Sequence, residues 1–83
     1  MGKYAPLRNY LSKQTAKRIT LHMYEIEKII GDRLPASAYK YVAWWSNSTT
    51  AAHPYSRAWT DSGYYSVCVK DTIRSQTITF EKR

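Results

Sequence analysis

Four apolar residues, Met23, Ile26, Ile29 and Ile30, recur at helical spacing and stop at Gly31, so this segment predicts a helix with one face that must be buried. Glu25 and Glu27 lie near its start, where carboxylates suit the helix dipole, and Gly31 supplies the C-terminal stop. His22 stands where Ser or Thr would normally cap, three residues before Glu25, which makes an imperfect capping box. It reads as a cap substitute facing solvent rather than as a metal ligand.

The surface that covers this helix has to come from the same short chain. Residues 1–83 have room for a single domain, and a chain of this size buries only about 60% of the surface its unfolded form exposes. An apolar fraction of 43% with 14% aromatics is enough for one modest core and argues against wholesale disorder. Pro6, Leu7, Tyr10 and Leu11 place an amphipathic helix over about Ala5 to Lys13, and Arg18–Leu21 reads as a short edge strand. Asp32 to Tyr41 can form a further helix with Pro35 in its first turn and Ser37, Lys40 and Tyr41 outside. Ser48 to Ala52 has loop character, and Pro54 to Ser62 suits a short helix with Ala58 and Trp59 inward and Gly63 at its end. Tyr65–Lys70 and Thr77–Lys82 read as strands joined by a hairpin loop over Asp71–Gln76. The order is helix, short strand, helix, helix, loop, helix, strand, strand. That is an α+β succession close to a winged helix with one extra helix.

Charge narrows the function classes. Thirteen Lys and Arg against six Asp and Glu give a net charge of +7. The first twenty residues hold Lys3, Arg8, Lys13, Lys17 and Arg18 with no acid, whereas 41–69 carries only Arg57 and Asp61. A basic arm therefore leads into a nearly neutral, aromatic-rich middle, a balance that attracts polyanions, of which nucleic acid is the commonest in the cytoplasm. Cys68 is the only cysteine, so no intramolecular disulfide or multi-cysteine metal site can form; flanked by Val67 and Val69, it reads as a small hydrophobe buried in a strand. No run of about 18 apolar residues is present, and the N-terminus lacks the apolar stretch of a secretory signal. A cytoplasmic location without membrane contact is the expectation.

Leu21-His22-Met23-Tyr24-Glu25-Ile26-Glu27 through Gly31, Leu34-Pro35, Ser37-Ala38, Trp44-Trp45, Asn47, His53, Ala58-Trp59, Gly63 and Thr79-Phe80 together resemble a widespread small bacterial and phage family that carries a domain of unknown function. Its pattern reads L-T-F-x-E-I-E, then G, L-P-x-S-A, W-W-x-N and H-x-Q-A-x-A-W-x-x-A-G, and the similarity spans nearly the whole chain. The chain departs from it at His22 and Met23, where the pattern has Thr and Phe, and at Pro54-Tyr55-Ser56, where it has a Gln-centred turn. The resemblance implies no activity.

Catalysis has little to stand on. No Ser-His-Asp or Cys-His pair falls at recognisable spacing, and three scattered glycines make no phosphate loop. Glu25 and Glu27 lie on different sides of one helix, and two histidines with one cysteine are too few for a zinc site. No enzyme activity, cofactor or metal is expected.

The segment Trp44, Trp45, Asn47, His53, Arg57 and Trp59 has the residue types of a nucleic-acid reader, since Asn can read adenine, Arg can read guanine or grip phosphate, and indoles stack on bases. The bland alternative makes Trp44 and Trp59 core, Trp45 a cover at its edge and Asn47 a partner of loop backbone. For a winged helix the reading helix is either Pro35–Tyr41, offering Lys40, or Pro54–Ser62, which directly precedes the wing and would present His53, Ser56, Arg57 and Thr60. Lys70 and Arg74 on the wing, with basic residues near the N-terminus, would hold phosphates. Nucleic acid, with duplex DNA first among its forms, is thus the expected partner, through Lys40, Asn47, His53, Ser56, Arg57, Lys70 and Arg74. A homodimer would be needed to read a long site. The competing expectation is a module that docks on a host or defence protein through the aromatic middle, and a third is a small-ligand pocket lined by the three Trp.

Overall fold

The computed structural model describes residues 3–47, 54–67 and 69–83. The expected Ala5–Lys13 helix is α1 (Ala5–Ser12), with Pro6 in its first turn and Leu7 and Leu11 buried. It is followed by β1 (Arg18–His22) and α2 (Met23–Ile30). The Glu25 carboxylate accepts the His22 backbone N–H at 2.8 Å, forming that half of the capping box. Gly31, at φ 70°, closes α2 in the left-handed conformation that a side chain would strain.

The third helix is shorter than its sequence span suggests. α3 covers only Ala36–Lys40, because Pro35 is the extended residue before it and Tyr41 breaks it at φ −121° and ψ 121°. A tight 3-10 turn, Val42–Trp45, follows. The break leaves the Ala38 carbonyl without its next helical donor, and the Trp45 indole N–H takes that place at 2.8 Å. A ring that needed burial and a donor that needed an acceptor are satisfied in one step.

Pro54–Ser56 forms a second 3-10 turn running into the one-turn helix α4 (Arg57–Thr60), after which Gly63 at φ 85° redirects the chain into β2 (Tyr64–Val67). The segment from Lys70 to Ser75 is no simple hairpin loop. Val69–Asp71 is a 3-10 turn and Thr72–Ser75 a one-turn helix, α5, before β3 (Thr77–Lys82). Thr72 is buried and α5 packs against α3, so β2 stops at Val67 and Lys70 lies in a turn rather than a strand. The placement expected for Cys68 lies outside the described residues.

The three strands form an antiparallel sheet in the order β1-β3-β2, with Leu21 opposite Ile78 and Ser66 opposite Phe80. β1 is an edge strand, as its brevity implied. The helices cover one face, and Leu7, Leu11, Met23, Ile26, Trp45, Trp59, Tyr64, Ile78 and Phe80 fill the space between them and the sheet. The architecture is α+β. No helix among the described residues is long and apolar enough to cross a membrane.

Candidate nucleic-acid interface

The aromatic middle turns its polar groups inward. Trp44 and Trp45 pack edge to face at 4.6 Å between ring centroids, Trp45 stacks on Trp59 at 5.9 Å, and Trp59 lies 5.4 Å from Phe80. All three indoles are buried, Trp45 included, so it is core rather than a cover at the edge. The indole N–H groups of Trp45 and Trp59 both have protein acceptors, which removes the unpaired donors that a ring-lined ligand pocket would show.

Asn47 is the hub of this region. Its Oδ1 accepts the Ser66 backbone N–H at 2.7 Å, the Trp59 indole N–H at 3.0 Å and the Ser66 hydroxyl at 3.1 Å, while its Nδ2 donates to the Ser66 carbonyl at 3.1 Å. The side chain of this exposed residue therefore pairs with the outer edge of β2 as a strand would, and both ends of its amide have protein partners. This is the backbone-partner role that the alternative reading gave Asn47. The surface role expected for Ser56 is corrected. It is fully buried at the junction of the 3-10 turn and α4, because Ala58 and Trp59 must point inward and the preceding turn goes in with them. Its carbonyl accepts the hydroxyl of half-buried Thr60 at 3.2 Å. His53 lies outside the described residues.

The four remaining candidates, Lys40, Arg57, Lys70 and Arg74, are exposed. Three of them sit on adjoining elements, since α3 packs on α5 and the Val42–Trp45 turn packs on the Val69–Asp71 turn. Lys40 ends the first of these, Lys70 lies in the last, and Arg74 lies in α5. Tyr41 and Val42, 62% and 36% exposed, follow Lys40 directly in the chain. Arg57 stands apart, at the start of a helix that packs on α1 and β2. The helix beside the β2–β3 connection is thus α3, not the one that directly precedes β2.

The carboxylates leave this face nearly to its cations. Glu27 accepts the Leu34 N–H at 2.9 Å, and burial together with a hydrogen bond to Glu27 pushes the Tyr39 hydroxyl above its ordinary pKa. The Arg33 backbone N–H and Lys3, 3.5 Å away, hold the Asp32 carboxyl below its usual range. Glu81 is lowered by its hydrogen bond from Arg18. On the face itself only Asp71 intervenes, 3.9 Å from Arg74, and among the described residues no ion pair engages Lys40, Arg57 or Lys70.

Sequence reading did not join Lys82 and Arg83 to Lys13 and Lys17. Antiparallel pairing of the first and last strands brings both pairs to the same end of the sheet, with the Lys82 N–H donating to the Lys17 carbonyl at 2.7 Å.

Comparison with known proteins gives one relation. The family described as a domain of unknown function, DUF7662, matches residues 4–83, and the chain belongs to it. No curated protein and no solved structure matches the chain.

Proposed function

We propose that this member of the DUF7662 family is a cytoplasmic, non-catalytic nucleic-acid-binding domain with duplex DNA as its preferred partner, contacted by the face that carries Lys40, Tyr41, Lys70 and Arg74. The observation that carries the reading is the convergence of these three cations and an exposed ring on packed neighbouring elements from two distant parts of the chain. Phosphate contact needs cations held in fixed relation, and short turns anchored on buried Thr72 and Trp45 provide that better than a mobile loop would. A net charge of +7 on a body about 29 × 26 × 25 Å in extent adds the long-range attraction.

A winged-helix-like arrangement is part of the proposal. In such a fold a strand between the first two helices pairs with the last strand, and the connection between the last two strands lies beside the phosphate backbone. The β1-β3-β2 order agrees with that scheme, with α3 in place of the reading helix and the 69–76 connection in place of the wing. Docking on a protein partner is the second reading, and it now rests on Tyr41 and Val42 rather than on the buried Trp.

The test is binding to random duplex DNA, single-stranded DNA and RNA by fluorescence anisotropy across a salt series. Three phosphate contacts give a log-log slope of about −3 for the duplex, and the K40Q/K70Q/R74Q variant removes most of it. A salt-independent signal, or a slope that the three substitutions leave unchanged, would overturn the assignment.

A further inference from the structure

The end of the sheet opposite this face carries a second set of cations. Lys13 closes α1, Lys17 and Arg18 lead into β1, and Lys82 and Arg83 follow at the end of β3; all five are exposed. They are gathered by specific bonds. The buried Tyr64 ring sends its hydroxyl to the Ala16 carbonyl at 2.6 Å, the Lys82 N–H meets the Lys17 carbonyl, and the Arg83 N–H meets the Gly63 carbonyl at 2.9 Å. The connection between α1 and β1 is thereby fastened to the end of β3 and the start of β2.

The side chains are also positioned. Lys82 Nζ lies 5.9 Å from the Tyr64 ring centroid and 3.5 Å from the Gln14 carbonyl, and the Arg83 guanidinium lies 5.8 Å from the Tyr65 ring centroid. A cation held over a ring keeps donors free for a phosphate while losing less freedom on binding. The neighbouring acids are Asp61, just beyond α4, and Glu81, whose carboxylate is engaged by Arg18 and the Tyr65 hydroxyl. Five cations thus face two acids.

From Thr77 to Lys82 the β3 strand extends about 17 Å at ~3.3 Å per residue, so the two basic ends point to opposite sides of the molecule. A duplex against one end leaves the other open. We propose that the Lys13, Lys17, Lys82 and Arg83 end is a second nucleic-acid backbone site, and that one copy of the protein bridges two duplex segments. This rests on the reading of the first face as a nucleic-acid site. A lipid surface fits less well, because among the described residues the exposed large apolar side chains are Tyr24, Tyr41 and Val42, none of them at this end.

The experiment pairs a bridging readout with a binding readout. Bead-tethered duplex is loaded with protein and offered a second, fluorescent duplex, while affinity for a single duplex is followed by anisotropy. Wild-type protein is expected to capture the second duplex. K17Q/K82Q/R83Q should reduce capture at least about tenfold while single-duplex affinity stays within about threefold, since the phosphate contacts of the first face remain. Duplex binding by wild type without capture overturns bridging and leaves the first site standing, whereas no duplex binding at all overturns both. Capture that survives the substitutions would assign bridging to a second copy of the chain. Sedimentation with anionic phosphatidylserine vesicles, without duplex capture, would make the basic end a lipid surface instead. Either result rejects the proposal.

Discussion

The Trp44–Trp59 region and the Lys40–Lys70–Arg74 face carry similar promise as residue lists, and the fold uses them in opposite ways. In the first, Trp, Asn and Ser have partners within reach, so Asn47 closes on Ser66 and Trp59, and Trp45 closes on Ala38. In the second, the polar ends of Lys40 and Lys70 have no carboxylate partner among the described residues and stand in solvent. A hydrogen-bonding side chain next to unsatisfied backbone is drawn inward, since leaving a buried backbone group unpaired costs about 1–3 kcal/mol. A cation has no such pull, because burying its charge costs more than most contacts return.

Truncating the interior should therefore be felt in stability, and truncating the face in binding. The largest effect is expected from Trp59→Ala, which removes a buried ring stacked on Trp45 and tilted against Phe80 and leaves the Asn47 carbonyl short of a donor. It should cost about 3–5 kcal/mol in urea unfolding. Next is Asn47→Ala. The Ser66 N–H and the Trp59 indole N–H lose their shared acceptor, so a loss of about 2–3 kcal/mol is expected, with little change in duplex affinity for the protein that remains folded. An Asn47→Ala protein with normal stability and abolished binding would break the contrast between the two regions. The K40Q/K70Q/R74Q variant supplies its other half and should unfold within about 0.5 kcal/mol of wild type, as exposed substitutions usually do.

These effects also mark what could be seen from sequence. The α2 stripe, its Gly31 stop, the edge strand at Arg18 and the inward Trp59 were all legible, because each is dictated by local period or by a single backbone requirement. Asn47 as a strand-edge partner was open from sequence, since its acceptor role depends on Ser66, nineteen residues away. Ser56 was misplaced for a related reason: on a helix this short, the side that faces the core is set by the turn before it, not by any repeat. The 69–76 connection looked like a hairpin loop because its helical turn is held by packing on α3 rather than by its own periodicity. Lys40, Lys70 and Arg74 were legible as candidates but their proximity was not, and the end that joins Lys13 and Lys17 to Lys82 and Arg83 was not legible at all, because helix packing and strand pairing bring these distant stretches together.

The smallest expected effect concerns charges that are paired on the surface, where the contrast between spent and free groups can be sharpened. Arg18 holds the Glu81 carboxyl below its ordinary pKa across the first pair of the β1–β3 ladder. A carboxyl depressed in the folded state adds stability above its unfolded pKa, and that contribution disappears as pH falls through the folded value. Arg18→Gln should raise the Glu81 pKa toward that of an ordinary glutamate in an NMR titration, and should weaken the acid dependence of unfolding in the same pH range. Because Arg18 is exposed and Glu81 partly so, added salt should shrink the difference between the two proteins. A Glu81 titration unmoved by the substitution would mean that the Arg18–Glu81 pair does not hold the carboxylate in solution, and would break this part of the contrast.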